Sequence, residues 1–147
     1  MTIEADLRAA LLGMSAVTDL VGSDATTARI RPEKLDESDD NTLQHIIIDI
    51  DDEAHRNDLQ GLGGLVYAMV NVSCRAMEKQ DARALAEAVR VNGTTPGTGL
   101  AGYAGSATTF SAVLDDETHG IIPFGDGSDR VWHVIECTYI CSYYETT

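Results

Sequence analysis

At 147 residues, 44 % of them hydrophobic, the chain is long enough for one domain with a real core and too short for two. Its charge is the unusual quantity: 24 acidic against 10 basic residues give −14. Such a surface repels free nucleic acid and anionic membranes, which argues against a DNA-binding module but not against a conduit that DNA passes without sticking.

Asp outnumbers Glu, 15 to 9, and Lys is reduced to Lys34 and Lys79. Sparse Lys with abundant Asp suits a salty interior, as in a halophilic host, where self-repulsion is screened. Ordinary solubility from negative surface charge accounts for the same numbers. Cys74, Cys137 and Cys141 do not make a disulfide framework for a chain of this size. Cys137 and Cys141 lie four apart in a predicted strand, about 13 Å between Cα atoms and too far to bridge. All three read as small buried apolar residues in a reducing compartment. Met1 leads into Glu4 and Asp6, unlike a signal peptide, and no apolar run approaches the roughly 18 residues of a membrane span.

In chain order, Thr2 is placed to cap a helix from Ile3 to about Leu12, with Ile3, Leu7, Ala10 and Leu11 along one stripe. Gly13 interrupts it, and a short helical turn from Ala16 to Val21 closes at Gly22. Arg29 to Pro32 reads as a brief extended piece. Glu33 to Asn41, with five carboxylates, reads as a solvated loop. Gln44 to Ile50 is the densest β-branched run and predicts a strand. Asp52 to Gly64 reads as a polar, glycine-punctuated connection, the long tip of a hairpin whose second strand begins near Leu65.

In that second strand Val66, Val70, Val72 and Cys74 share one parity, and Asn71, Ser73 and Arg75 the other. A helix follows directly, with Ala82, Leu85 and Val89 on one face and Asn92-Gly93 as its stop. Glycines then mark a flexible loop up to Ala107. Thr108 to Leu114 predicts a third strand, closed by Asp115, Asp116 and Glu117, with Thr118 to Arg130 as a second loop. Val131 to Tyr144 predicts a long last strand with Trp132, Val134, Glu136, Thr138 and Ile140 on one face. Its other face carries Val131, His133, Ile135, Cys137, Tyr139 and Cys141. Both faces are largely apolar in the middle, so helices should cover one and a neighbouring subunit the other. The expected fold is α+β: a single layer of mostly antiparallel sheet, about four strands, with two main helices packed on one face.

Chemistry is sparse. Gly97, Gly99 and Gly102 have dinucleotide-binding spacing, but they follow a helix instead of linking a strand to one. Asp49, Asp51, Asp52 and Glu53 are dense enough for a hard cation, but Ala54 stands where an EF-hand loop needs Gly. A solvated strand end is the better reading of the cluster. The histidines at 45, 55, 119 and 133 share no metal-ligand spacing, and no serine sits in a nucleophile elbow. The expectation is therefore no enzyme, no cofactor and no resident metal.

The order of pieces is itself informative. Glu4 to Leu12, Ala16 to Gly22, Arg29-Ile30-Arg31-Pro32, Ile46-Ile47-Ile48, Val70 to Ala76, Ala82 to Arg90 and a last strand ending at Tyr143-Tyr144 run through nearly the whole chain. This arrangement resembles the tail-terminator, or tail-completion, proteins of long-tailed phages, proviruses and gene transfer agents. The resemblance implies a virion protein, assembled in the host cytoplasm, forming a hexameric ring at the head-proximal end of the tail. Its partners would be further copies of itself, the major tail-tube protein and the head-tail connector proteins, with DNA passing through unbound and no membrane involved. Candidate lumen or docking residues are Asp36, Glu37, Asp39 and Asp40 in one loop and Asp52, Glu53, His55, Arg56 and Asp58 in the hairpin. Trp132, Val134 and Ile140 are the candidate subunit interface. A head-completion or connector-stopper ring is the alternative, and a small-ligand or metal-binding α+β domain is a third reading from a different class.

Overall fold

The computed structural model describes residues 3–35, 39–58, 61–93, 99–101, 103–104, 110–125 and 127–144. Helices α1 (Ile3–Leu12) and α2 (Ser15–Val21) come first, then strands β1 (Ile30–Pro32), β2 (His45–Asp58) and β3 (Gly61–Ala76). Helix α3 (Lys79–Val91) follows, then β4 (Tyr103–Ala104), β5 (Ser111–Pro123) and β6 (Val131–Tyr144). The strands form one sheet in the order β1-β2-β3-β6-β5-β4. Every pairing is antiparallel except β1 with β2, so the predicted α+β layer holds, with four long strands and a short one at each side.

The α1 stripe arises because Ile3, Leu7 and Leu11 recur at one helical face, and all three are buried. Each such side chain taken fully out of water contributes about 1.5–3 kcal/mol. Helix α3 buries Ala82, Leu85, Ala86, Ala88 and Val89, its alanines allowing close approach to the sheet. Beneath the helices lie Ile46 and Ile48, then Val70, Val72 and Cys74, then Ile135, Cys137, Tyr139 and Cys141, all in one core cluster. Strand parity thus divides β3 and β6 as the alternation predicts. Helices α1 and α2 pack towards β1 and β2, and α3 packs towards β3 and β6.

Two joints hold the helices. Asn92, in the left-handed region at φ 49°, ends α3 with its amide on Ala88 O. Its side-chain Oδ1 accepts the Ala16 amide at 3.2 Å, so one residue stops α3 and satisfies an early donor of α2. Arg8 donates to Ile30 O, while Arg29 donates to Gln44 O and Leu20 O, tying α1, α2 and β1 together through carbonyls.

Two loop expectations are corrected. Residues 52–58 are strand, not hairpin tip: the ladder runs from His45↔Arg75 to Asp58↔Gly61. Likewise Asp115 to Glu117 do not close β5, which continues to Pro123 against Val131. Polar composition hid both, because a strand's backbone hydrogen bonds do not require apolar side chains when its outer edge faces water. Thr2, expected to cap α1, lies outside the described residues.

Candidate assembly surfaces

The sheet face away from the helices is where the candidate interface residues lie, and it divides in two. At the lower end of β6, Trp132 stacks on Phe124 with ring centroids 4.2 Å apart. Its edge meets His45 at 5.6 Å, and its Nε1 donates to Asn41 O at 2.7 Å. Arg75 lies 5.9 Å above the indole and Arg130 lies 4.7 Å above Phe124. This stack joins the loop before β2 to the turn between β5 and β6. It gives Trp132 cover from within the chain, and Val134, one rung higher on the same face, is buried at 7 % exposure.

At the upper end of that face the cover stops. Ile140 is 36 % exposed, its cross-strand partners are Met69 and Val113, and Val113 is 59 % exposed; Tyr67 nearby is 40 % exposed. Of the three candidate interface residues, Ile140 alone belongs to this open apolar strip. The Asn71–Thr138 hydrogen bond, 2.8 Å, marks the boundary between covered and open halves.

The candidate acidic residues also separate. Asp36 and Glu37 lie outside the described residues. Asp39 is held by Arg31 in a two-point pair, Nε to Oδ2 at 3.0 Å and Nη2 to Oδ1 at 3.2 Å. Asp40 is exposed and accepts from both the amide and hydroxyl of Thr42, whose hydroxyl and then amide bonds lower its pKa. Asp52, Glu53, His55, Arg56 and Asp58 all stand on β2 rungs, opposite Met69, Ala68, Val66, Leu65 and Gly61.

Both sides of the sheet end in long edges. Beyond Ile48 no described strand pairs with the outer edge of β2, and beyond Ala112 none pairs with that of β5. Each edge carries a register shift at its acidic run, between Ile50 and Asp52 and between Leu114 and Asp116. Bulges and carboxylates on an edge discourage indiscriminate strand pairing.

All three cysteines are free and buried. Burial pushes Cys137 and Cys141 up to about 12, with Glu117 adding to the first, and raises Cys74 as well. Gly99, one of the dinucleotide-spaced glycines, instead backs onto the end of α3: Leu100 N donates to Val89 O, and a Cβ at Gly99 would collide with Arg90 O. Among the described residues no group of three His, Cys, Asp or Glu side chains could hold a metal. No described helix is long and apolar enough to cross a membrane. The Trp132 stack was missed in the sequence because Phe124 fell in a segment read as loop. A sole Trp two residues after Arg130 was the available signal.

No family model matches the chain, and no curated protein matches it. Among solved structures, the chain is similar to a chain of the virion of a native gene transfer agent particle. The TM-score is 0.68 at 14 % identity, covering 97 % of this chain and 94 % of that one.

Proposed function

We propose that this chain is a structural virion protein that closes into a ring on the tail tube. The ring ends tube polymerisation, joins the tail to the head connector and leaves a channel for DNA. The observation that carries this reading is the likeness of fold, over nearly the full length of both chains, to a component of a gene transfer agent virion. The surfaces agree with it. An open apolar strip at Ile140, Met69 and Val113 suits contact with another protein, and a net charge of −14 lets DNA slide past instead of binding. Asp40, exposed on its turn, is the candidate among the described residues for facing that channel or the docking partner.

The test is electron microscopy of particles made without this protein. A terminator's loss leaves tail tubes of uncontrolled length beside DNA-filled heads that carry no tail. Tubes of normal length beside heads that have lost their DNA would overturn the terminator assignment in favour of a connector stopper. Labelled protein should decorate one end of free tails, and its absence from them would have the same force.

A further inference from the structure

In a chain this acidic, the placement of the few cations is informative. Arg8, Arg29 and Arg31 are spent on carbonyls and Asp39, and Arg75 and Arg130 lie on aromatic rings. Lys79, Arg83 and Arg90 are different. They fall at i, i+4 and i+11 on one stripe of α3, and none forms an ion pair or hydrogen bond among the described residues. Together they line one side of a trough between α3 and the overhanging part of β5, made of two adjoining hollows of about 320 and 420 Å³. Leu114, His119 and Ile135 contribute to its floor. Glu87 and Glu117 share the trough without pairing to these cations.

The sheet order puts this trough on the β5 side, and the acidic outer edge of β2 on the opposite side. Residues 49–58 of that edge contain Asp49, Asp51, Asp52, Glu53 and Asp58 against the single cation Arg56. Complementary surfaces on opposite sides of one protomer are what a head-to-tail contact requires, and repetition of that contact closes a ring. Direct pairing of a β2 edge with a β5 edge would instead set carboxylate runs against each other, Asp51 to Glu53 facing Asp115 to Glu117.

We infer that the subunit contact of the ring seats the acidic β2 edge of one copy in the cationic α3–β5 trough of the next. This rests on the ring reading above and specifies its contact. Lys79, Arg83 and Arg90 supply complementary charge and fix which edge is accepted, and Leu114 and Ile121 add apolar contact. The trough rejects the chain's own β5 edge, which already forms its rim.

The test uses the full chain, incubated with purified tail tubes, with ring formation read by mass photometry and imaging. Reversing Arg83→Glu with Arg90→Glu should lower the ring fraction at least tenfold while moving the thermal midpoint by only a few degrees, because neither side chain forms an ion pair or hydrogen bond among the described residues. Adding Asp52→Lys and Glu53→Lys to the same chain should restore rings. A disulfide between Arg83→Cys and Asp52→Cys should trap neighbours, since the native thiols are buried. Wild-type ring levels in the Arg83→Glu, Arg90→Glu protein, or a crosslink to Asp116→Cys in place of Asp52→Cys, overturn this contact and leave the ring intact as a reading. A wild-type chain that never forms rings, with or without tubes, overturns both.

Discussion

Arg31 grips Asp39 through two parallel hydrogen bonds, 3.0 and 3.2 Å long, with only 13 % and 5 % of the two side chains exposed. Asp39 therefore differs from its neighbour Asp40, which is open to water. Asp39→Asn removes a charge from a largely buried pair and leaves Arg31 short of an acceptor, costing about 2–4 kcal/mol. Asp40→Asn keeps an acceptor for Thr42 on an exposed turn and should cost under about 0.5 kcal/mol. Urea melts of the two variants check this. Equal costs would mean the pair contributes no more than a surface bridge.

The seat of Gly99 against Arg90 gives a second prediction. A methyl group there overlaps main-chain atoms of α3, which cannot swing away as a flexible side chain would. Gly99→Ala should destabilise the chain by about 1–3 kcal/mol through displacement of the Leu100 and Ala101 amides from α3 carbonyls. Amide hydrogen exchange should show faster exchange at Leu100 and Ala101. A variant as stable as the parent would show that the loop relaxes freely.

How much of this was legible in the sequence follows one physical division. Where a buried face forces alternation, as at Val66 to Cys74 or Ile135 to Cys141, the strands and their inward sides could be read directly. The distal half of β2 and the exposed half of β5 carry no such pattern in their sequence. Their strand state comes from backbone pairing with β3 and β6, which composition does not report. The parallel pairing of β1 with β2 was equally hidden, because three residues carry no periodicity. Of the candidate surfaces, Ile140 could be found as an apolar residue on the strand's second face. That Trp132 is covered by Phe124 and the 39–44 loop depends on contacts up to 91 residues apart, such as Trp132 to Asn41 O.

His45 supplies the pH dependence. It is fully buried beside Trp132; its Nδ1 lies 3.0 Å from Leu43 O and its Nε2 has no partner among the described residues. Burial lowers its pKa below 6.5; Arg75 and Arg29 push the same way, while Leu43 O and Asp39 oppose them. The unfolded chain therefore binds a proton that the folded chain refuses once pH drops below 6.5. The stability associated with neutral His45 is fully present above that pH and is lost as pH falls towards the folded value. In His45→Phe, urea midpoints should be flatter between about pH 6.5 and 5 than in the parent. The same slope in both proteins would assign it to other groups.

Tyr139 carries the last prediction. It is completely buried in the core cluster, between the thiol-bearing rungs of Cys137 and Cys141, and its hydroxyl oxygen has no hydrogen-bond partner among the described residues. Its pKa is pushed well up, first by burial and then by Cys137 and Cys74, which favours the neutral phenol. A buried hydroxyl without a partner costs desolvation and returns nothing. Removing one oxygen leaves the ring's packing in place, so Tyr139→Phe should stabilise the chain by about 1 kcal/mol. Tyr139→Ala, by contrast, opens a cavity and should cost about 3–5 kcal/mol, as large aromatic-to-alanine changes do in a core. Thermal melts of both variants test the pair of signs. A destabilised phenylalanine variant would mean that the hydroxyl is satisfied in solution, most simply by a buried water.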